Sequence, residues 1–223
     1  MPLAGKGMLL TSMDIDPSDE AEFNRWYDRE HLEERVAIEG FLEARRYVAD
    51  EGHPKYLCLY STRTIEVLDS AAYRAKLANP TQWSKKTMAR FKNMIRAVAP
   101  VTFSRGQGRG AALGIVRLRP LAGGEAALRT ALKERLDPGT LDGIISFHLI
   151  ESDPSLSGPT TEIPSAASAG AGDWFVLIDA TDVNAASGAA ALLLDGAPVK
   201  SAVISVGTYR LMWDLTRSDI PFA

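Results

Sequence analysis

The sequence predicts an α+β protein in which two successive βαββαβ units pack face to face as one α/β barrel. Three observations predict it. The same order of strand and helix patterns runs twice through the 223 residues. A glycine-rich, basic stretch at 105–110 separates the two runs. The strands expected at 144–150 and within 202–213 are apolar on both faces, so they need burial on both sides. Packing one sheet against the other supplies that burial within a single chain.

Residues 7–15 read as a strand through Met8, Leu9 and Leu10, and Asp16-Pro17-Ser18 stops it. Ser18, Asp19 and Glu20 then start a helix, with a capping hydroxyl and negative charge in the first turn. That helix is expected to reach Ile38 and end at Gly40. Residues 41–49 alternate between two faces as a strand. A turn at 50–54 leads to a partner strand at 56–62. Helical patterns follow at 67–77 and 82–96, broken by Asn79-Pro80, and residues 98–104 close the first unit. The second unit has a strand at 113–118. A helix at 125–136 carries Leu128, Ala131, Leu132 and Leu136 at helical spacing. Strands follow at 144–150 and 174–179, an alanine-rich helix at 183–194, and a closing strand within 202–213. The halves share element order rather than sequence identity. The expected units are residues 1–106 and 111–223. The segment 152–172 is rich in Ser, Pro, Gly and Ala. It reads as a flexible insertion, as a neutral surface feature in preference to a lid, since surface insertions cost little stability.

Composition narrows the functional classes. Apolar residues make up 46% and charged residues 24%, an ordinary globular balance. A net charge of −3 gives no reason to invoke nucleic acid or an anionic membrane. With one cysteine, Cys58, an internal disulfide and a thiolate zinc cluster are both ruled out. No stretch approaches the length of a membrane span, and residues 1–10 lack the apolar core of a signal peptide, so a cytoplasmic location is expected.

The first helix carries an anomaly. At about 100° per residue, Phe23, Trp26, Tyr27 and Ile38 cluster on one side, and Glu30, His31 and Glu34 fall on that side too. Ionisable groups on a core face are costly unless partnered or facing a wet cavity. The matching helix of the second unit, with Ala127, Leu128, Ala131 and Leu132, shows no such intrusion. A site is therefore expected in the first unit, with the second mainly structural. His31 is the natural general base or acid, because only its ordinary pKa lies near neutrality. Tyr27, one turn earlier, is placed to hydrogen-bond the imidazole or a substrate oxygen. Glu30 or Glu34 would orient the ring. On the next strand Arg46 is the polar outlier beside Leu42, Ala44 and Val48, suited to hold a carboxylate or enolate. Trp26 completes the substrate-contacting set. The alternative is a half-buried structural histidine at a helix end, with Arg46 paired to Glu30 or Glu34.

Trp26-Tyr27, then Glu30-His31-Leu32, then Gly40-Phe41 and Ala44-Arg45-Arg46-Tyr47 resemble the motif of EthD-like members of the dimeric α/β-barrel superfamily. In that superfamily two ferredoxin-like units, from two chains or fused in one, form the barrel. The clear resemblance spans residues 7–104; beyond it only the topology matches. It implies a cavity between helix and sheet near His31. Superfamily members include small-ring isomerases, quinone-forming monooxygenases and haem-binding enzymes.

The remaining candidates are weaker. His148, mid-strand, reads as a hydrogen-bonded core residue, and His53 as an exposed turn residue. Cys58 reads as a small buried hydrophobe. Three dispersed histidines give no metal cluster. The run Gly106-Gln107-Gly108-Arg109-Gly110 lacks the Lys-Ser/Thr of a phosphate loop. Lys85, Lys86, Arg90, Lys92 and Arg96 read as one solvated helix face. With no nucleotide fingerprint and no haem-ligand pattern, no cofactor is expected. Two functions stay open. One is an enzyme, isomerase or cofactor-independent oxygenase, abstracting a proton beside the carbonyl of a small cyclic or aromatic compound. The other is a non-catalytic ligand-binding or structural barrel. A small-molecule ligand and a homodimer are the partners considered, the dimer more weakly because fusion already closes the barrel.

Overall fold

The computed structural model describes residues 3–160 and 169–221. The first half contributes strands β1 (Gly7–Asp14), β2 (Phe41–Glu51), β3 (Tyr56–Thr62) and β4 (Lys92–Gly106). The second contributes β5 (Ala112–Leu118), β6 (Ile144–Glu151), β7 (Trp174–Ala180) and β8 (Val203–Thr216). They close into one barrel in the order β1-β3-β2-β8-β5-β7-β6-β4, and every neighbouring pair is antiparallel. Each half keeps the ferredoxin-like order, β4-β1-β3-β2 and β8-β5-β7-β6. The seams are β2 against β8, with Arg46 opposite Trp213, and β4 against β6, with Ser104 opposite His148. Closure leaves neither four-stranded sheet with a long free edge.

The helices lie outside the barrel. The first is α1 (Glu20–Trp26), continued through a π-helical turn (Tyr27–His31) into α2 (Leu32–Val36). Then come α3 (Ala71–Ala78), α4 (Gln82–Met88), α5 (Glu125–Arg135), α6 (Val183–Leu194) and α7 (Val199–Ala202). Gly40 ends the first helical stretch at φ +89°, where a Cβ would sit 2.6 Å from a Val67 methyl, so only glycine makes this turn without strain. Strand alternation sorts the apolar residues into three cores. Met8, Leu10, Leu57, Leu59, Leu113 and Phe175 point into the barrel. Phe23, Trp26, Tyr60 and Val98 fill the layer between the first half's helices and sheet. Leu128, Leu132, Phe147 and Trp174 fill the second.

The strand expected within 202–213 is not buried on both faces, since Val206 and Trp213 are exposed on the outer one, and two element expectations also differ from the structure. The helix expected at 82–96 ends at Met88, and β4 already begins at Lys92. Phe91 and Met94 lie at helical spacing from Trp83. They also begin a strand in which Met94, Arg96 and Val98 face the helices while Ile95, Ala97 and Ala99 face the barrel. A short run apolar on both faces fits either period. Arg96 is thus a buried strand residue and not part of a solvated helix face. The helix expected at 67–77 splits into a 3-10 turn (Ile65–Asp69) and α3, because the Ser70 hydroxyl caps the Tyr73 amide and starts the helix anew.

Of the segment 152–172, residues 161–168 lie outside the described residues. Its described parts are tied to β4. The Asp153 amide donates to Val98 O at 2.7 Å, the Val98 amide to Ser157 Oγ at 2.9 Å, and the Arg96 amide to Ala169 O at 3.0 Å. Beyond the β4–β6 register, which ends at Val101 and Ile150, this edge of β4 needs such partners, and the segment supplies them. Leu156 also packs on the first half's core.

Candidate active site

His31 ends the π-helical turn, where the Leu32 amide bonds to Tyr27 O, five residues back. The extra residue shifts the helix face, a feature frequent at functional sites. The imidazole is 7% exposed and lies against the Trp26 ring at 4.1 Å between centroids, with Tyr27 edge-on at 5.2 Å. It borders a cavity of about 30 Å³, room for a water or two. Thr11 of β1, Tyr60 of β3, Arg96 of β4, Arg35 of α2 and Thr160 line the same space, closed by Met13, Met88 and Met94.

Three buried polar atoms here have no hydrogen-bond partner among the described residues: His31 Nδ1, Thr11 Oγ1 and Tyr60 OH. A buried, unpaired polar atom costs about 1–3 kcal/mol, so three around one cavity mark a place where a ligand or water completes the set. Burial holds the His31 pKa well below its ordinary value, helped by the positive charge of Arg35 and Arg46. The ring is therefore neutral at pH 7, with one nitrogen free to accept a proton. Burial pushes the hydroxyls of Tyr27 and Tyr60 upward, so both stay protonated and act as donors or acceptors. The Tyr27 hydroxyl donates to Met13 Sδ at 3.8 Å. Cys58, behind Tyr60, is pushed up to about 12 by burial and is inert as a thiolate.

The other expected site residues have different partners. Arg46, 1% exposed, donates to Asp28 at 2.8 Å and to Asn24, and its guanidinium lies 4.4 Å from the Tyr27 ring centroid. It does not line the cavity, and it is Asp28, not Glu30 or Glu34, that balances its charge. Glu30 accepts from Trp26 Nε1 at 3.1 Å, Ser84 Oγ at 3.0 Å and Thr81 Oγ1 at 2.6 Å, which clamps the first helix to α4. Glu34 pairs with Lys76 at 3.4 Å, away from the cavity. Neither carboxylate orients the imidazole. Trp26 backs the His31 ring, and Tyr27 lines the cavity. Thr11, Tyr60 and Arg96 were missed in the sequence. The alternation 9/11/13 on β1 and 58/60 on β3 marks the outward face, and Thr11 is the polar break in it. Nothing in the sequence marks the π-helical turn.

The remaining histidines are accounted for. His148 is fully buried in the barrel, with Ser104 Oγ 2.9 Å from Nδ1 and Ser146 Oγ 3.0 Å from Nε2. His53 is exposed and pairs with Asp14 at 3.2 Å. No group of three or more metal-ligating side chains occurs among the described residues. None of the described helices is long and apolar enough to cross a membrane.

No protein-family model matches this chain. No curated protein sequence matches it either. Solved structures do. An anthrone oxidase-like protein superposes with a TM-score of 0.66 at 12% identity, covering 97% of this chain and 95% of its own. A protein named as a candidate monooxygenase, from Fusobacterium nucleatum, gives 0.60 at 8% identity, covering 96% of each chain. A haem-binding protein from Thermus thermophilus gives 0.53 at 10% identity, covering 94% of this chain and 92% of its own. Identities this low show the fold alone: a two-repeat, ferredoxin-like, dimeric α/β barrel. His148 has both ring nitrogens engaged inside the barrel, His53 is on the surface, and His31 faces room for only a water or two.

Proposed function

We propose that the cavity beside His31 is an active site in which a neutral imidazole moves a proton on a small cyclic or aromatic carbonyl compound. The unpartnered His31 Nδ1, buried against that cavity, carries the reading. A desolvated, neutral imidazole accepts a proton from a carbon beside a carbonyl or from a phenol. The cations Arg35 and Arg96 at the same cavity stabilise the resulting enolate or phenolate, and Thr11 and Tyr60 hydroxyls donate to its oxygen. The name of one fold neighbour, anthrone oxidase-like, supports the same substrate class, and that of another, a candidate monooxygenase, supports oxygen chemistry. An EthD-like isomerase returns the proton to another carbon, and a cofactor-independent oxygenase lets the enolate meet dioxygen. The division into a site-bearing unit at 1–106 and a structural unit at 111–223 belongs to this proposal. So does a cytoplasmic protein working as a homodimer, for which the exposed apolar strip of Ile204, Val206, Met212 and Trp213 on β8 is the support. Light scattering measures that state.

The second reading, a non-catalytic barrel, is favoured by one observation: the cavity holds only a water or two. The test is a thermal-shift screen of anthrone-type phenols, quinones and lactones, followed by deuterium exchange at the carbon beside the carbonyl. Exchange catalysed by the wild type and lost in His31→Ala, with the fold kept, is expected. Exchange unchanged in His31→Ala sinks the reading.

A further inference from the structure

We propose that Arg96 selects an anionic ligand for the His31 cavity, and that the bound anion displaces the main-chain carbonyls Arg96 now holds. This deepens the functional reading above and rests on it. Arg96 is 5% exposed on β4, yet no carboxylate pairs with it among the described residues. Its Nη1 donates to Leu156 O and, at 3.3 Å, to Gly158 O. Two neutral carbonyls are weak partners for a buried charge, which favours a full anion. Around the same cavity stand the unpartnered hydroxyls of Thr11 and Tyr60, and among the described residues no Asp or Glu lines it. Arg96 and these two hydroxyls are donors with no anionic partner among the described residues. A carboxylate or phenolate oxygen set complements them, and the flanking rings of Tyr27, Tyr73 and Phe91 suit a flat carbon skeleton.

The guanidinium fork meets a carboxylate through two parallel N–H groups. An anion that engages Nη1 takes the donor from Leu156 O and Gly158 O. The hold on 156–158 then rests on the packing of Leu156, on the Leu156 and Ser157 amides, which donate to Asp153 O, and on the Ser157 hydroxyl, which donates to Asp153 O at 2.6 Å and accepts from the Val98 amide. Anion entry and loosening of 156–158 are thus one exchange of partners at one side chain.

The test uses the full chain with salicylate and its neutral counterpart salicylamide. Calorimetry is expected to show salicylate binding at least about tenfold more tightly, as a buried charge pair gives. Arg96→Met should remove that preference, and Arg96→Lys, the folded control, should retain part of it. Amide exchange at Leu156 and Ser157 should quicken with salicylate in the wild type and be fast without ligand in Arg96→Met. Equal affinity of the two probes, a preference that survives Arg96→Met, or no salicylate binding overturns the proposal. Failure of the catalytic reading looks different: His31→Ala keeps the turnover of wild type, while the anion preference still tracks Arg96.

Discussion

The two helix–sheet layers of this barrel are built on one topology and filled in opposite ways. Over the second half's sheet, Leu128, Leu132, Leu136, Phe147 and Trp174 interlock, with polar side chains kept to the rim. Arg129 is one of these, paired with Glu151 at 2.7 Å and lying 4.9 Å from the Trp174 ring. Over the first half's sheet the corresponding layer contains Thr11, His31, Tyr60 and Arg96, and leaves a cavity among them. A layer that needed only to cover a sheet would resemble the second. The first carries unpaired polar atoms at a cost in stability, the pattern expected where function is built at the expense of packing.

The two halves are joined by a buried ion pair across the barrel. Inside the barrel, Arg45 of β2 donates to Asp179 of β7 at 3.0 Å, and Arg109 reaches Glu43 at 2.7 Å. The Arg45 charge holds the Asp179 carboxyl below its usual range despite burial, with His148 adding to the effect. Arg45→Met strands a buried carboxylate, and urea denaturation should register a loss of about 3–5 kcal/mol. Adding Asp179→Leu should recover most of it. If Arg45→Met alone is neutral, the halves are not locked through this pair.

Within the layers, the filled one should suffer more from truncation. Leu132→Ala, at a fully buried site, is expected to cost about 2–5 kcal/mol. His31→Ala removes a group that already borders a cavity, and should cost less than Leu132→Ala in the same urea series. The reverse order would mean that the first layer is packed as tightly as the second. Arg46→Met tests the part of the first layer that is structural. It leaves Asp28 partly solvated and removes the contact with the Tyr27 ring, for an expected loss of about 1–3 kcal/mol, while salicylate affinity stays at the wild-type level.

What the sequence disclosed follows the same division. Period and punctuation found the barrel: β3, at 56–62, and α6, at 183–194, stand where alternation and the alanine-rich pattern put them. The polar intrusion at His31 was visible because leucine is the residue a covering helix would use there. Its partners were not visible. Glu30 reaches across to Ser84 and Thr81 and not to the imidazole next to it in sequence. Arg46 found its counter-charge at Asp28 across a helix–strand gap that no spacing rule encodes. Arg96 was hidden because a run apolar on two faces fits helix and strand alike.

The smallest expected effect is also the most specific to the open layer, because only there, among the described residues, is a histidine buried without a partner on one ring nitrogen. The His31 pKa is depressed in the folded state, chiefly by desolvation and then by the charges of Arg35 and Arg46. The unfolded chain titrates near the ordinary value of about 6.5. Between the folded and unfolded pKa values the unfolded state therefore binds more protons, and stability rises with pH. Above about pH 6.5 both states are neutral at this residue and its contribution is flat. As pH falls below that point, the wild type should lose up to about 1.4 kcal/mol per pH unit from His31 alone. His31→Gln has no proton to take up. The difference between the two proteins' urea stabilities, followed from about pH 7.5 down to about pH 5, cancels the other titrating groups. A difference that stays constant over that range would mean His31 charges as readily in the fold as out of it. The imidazole would then be solvated, and the neutral base on which the proposed chemistry depends would not exist.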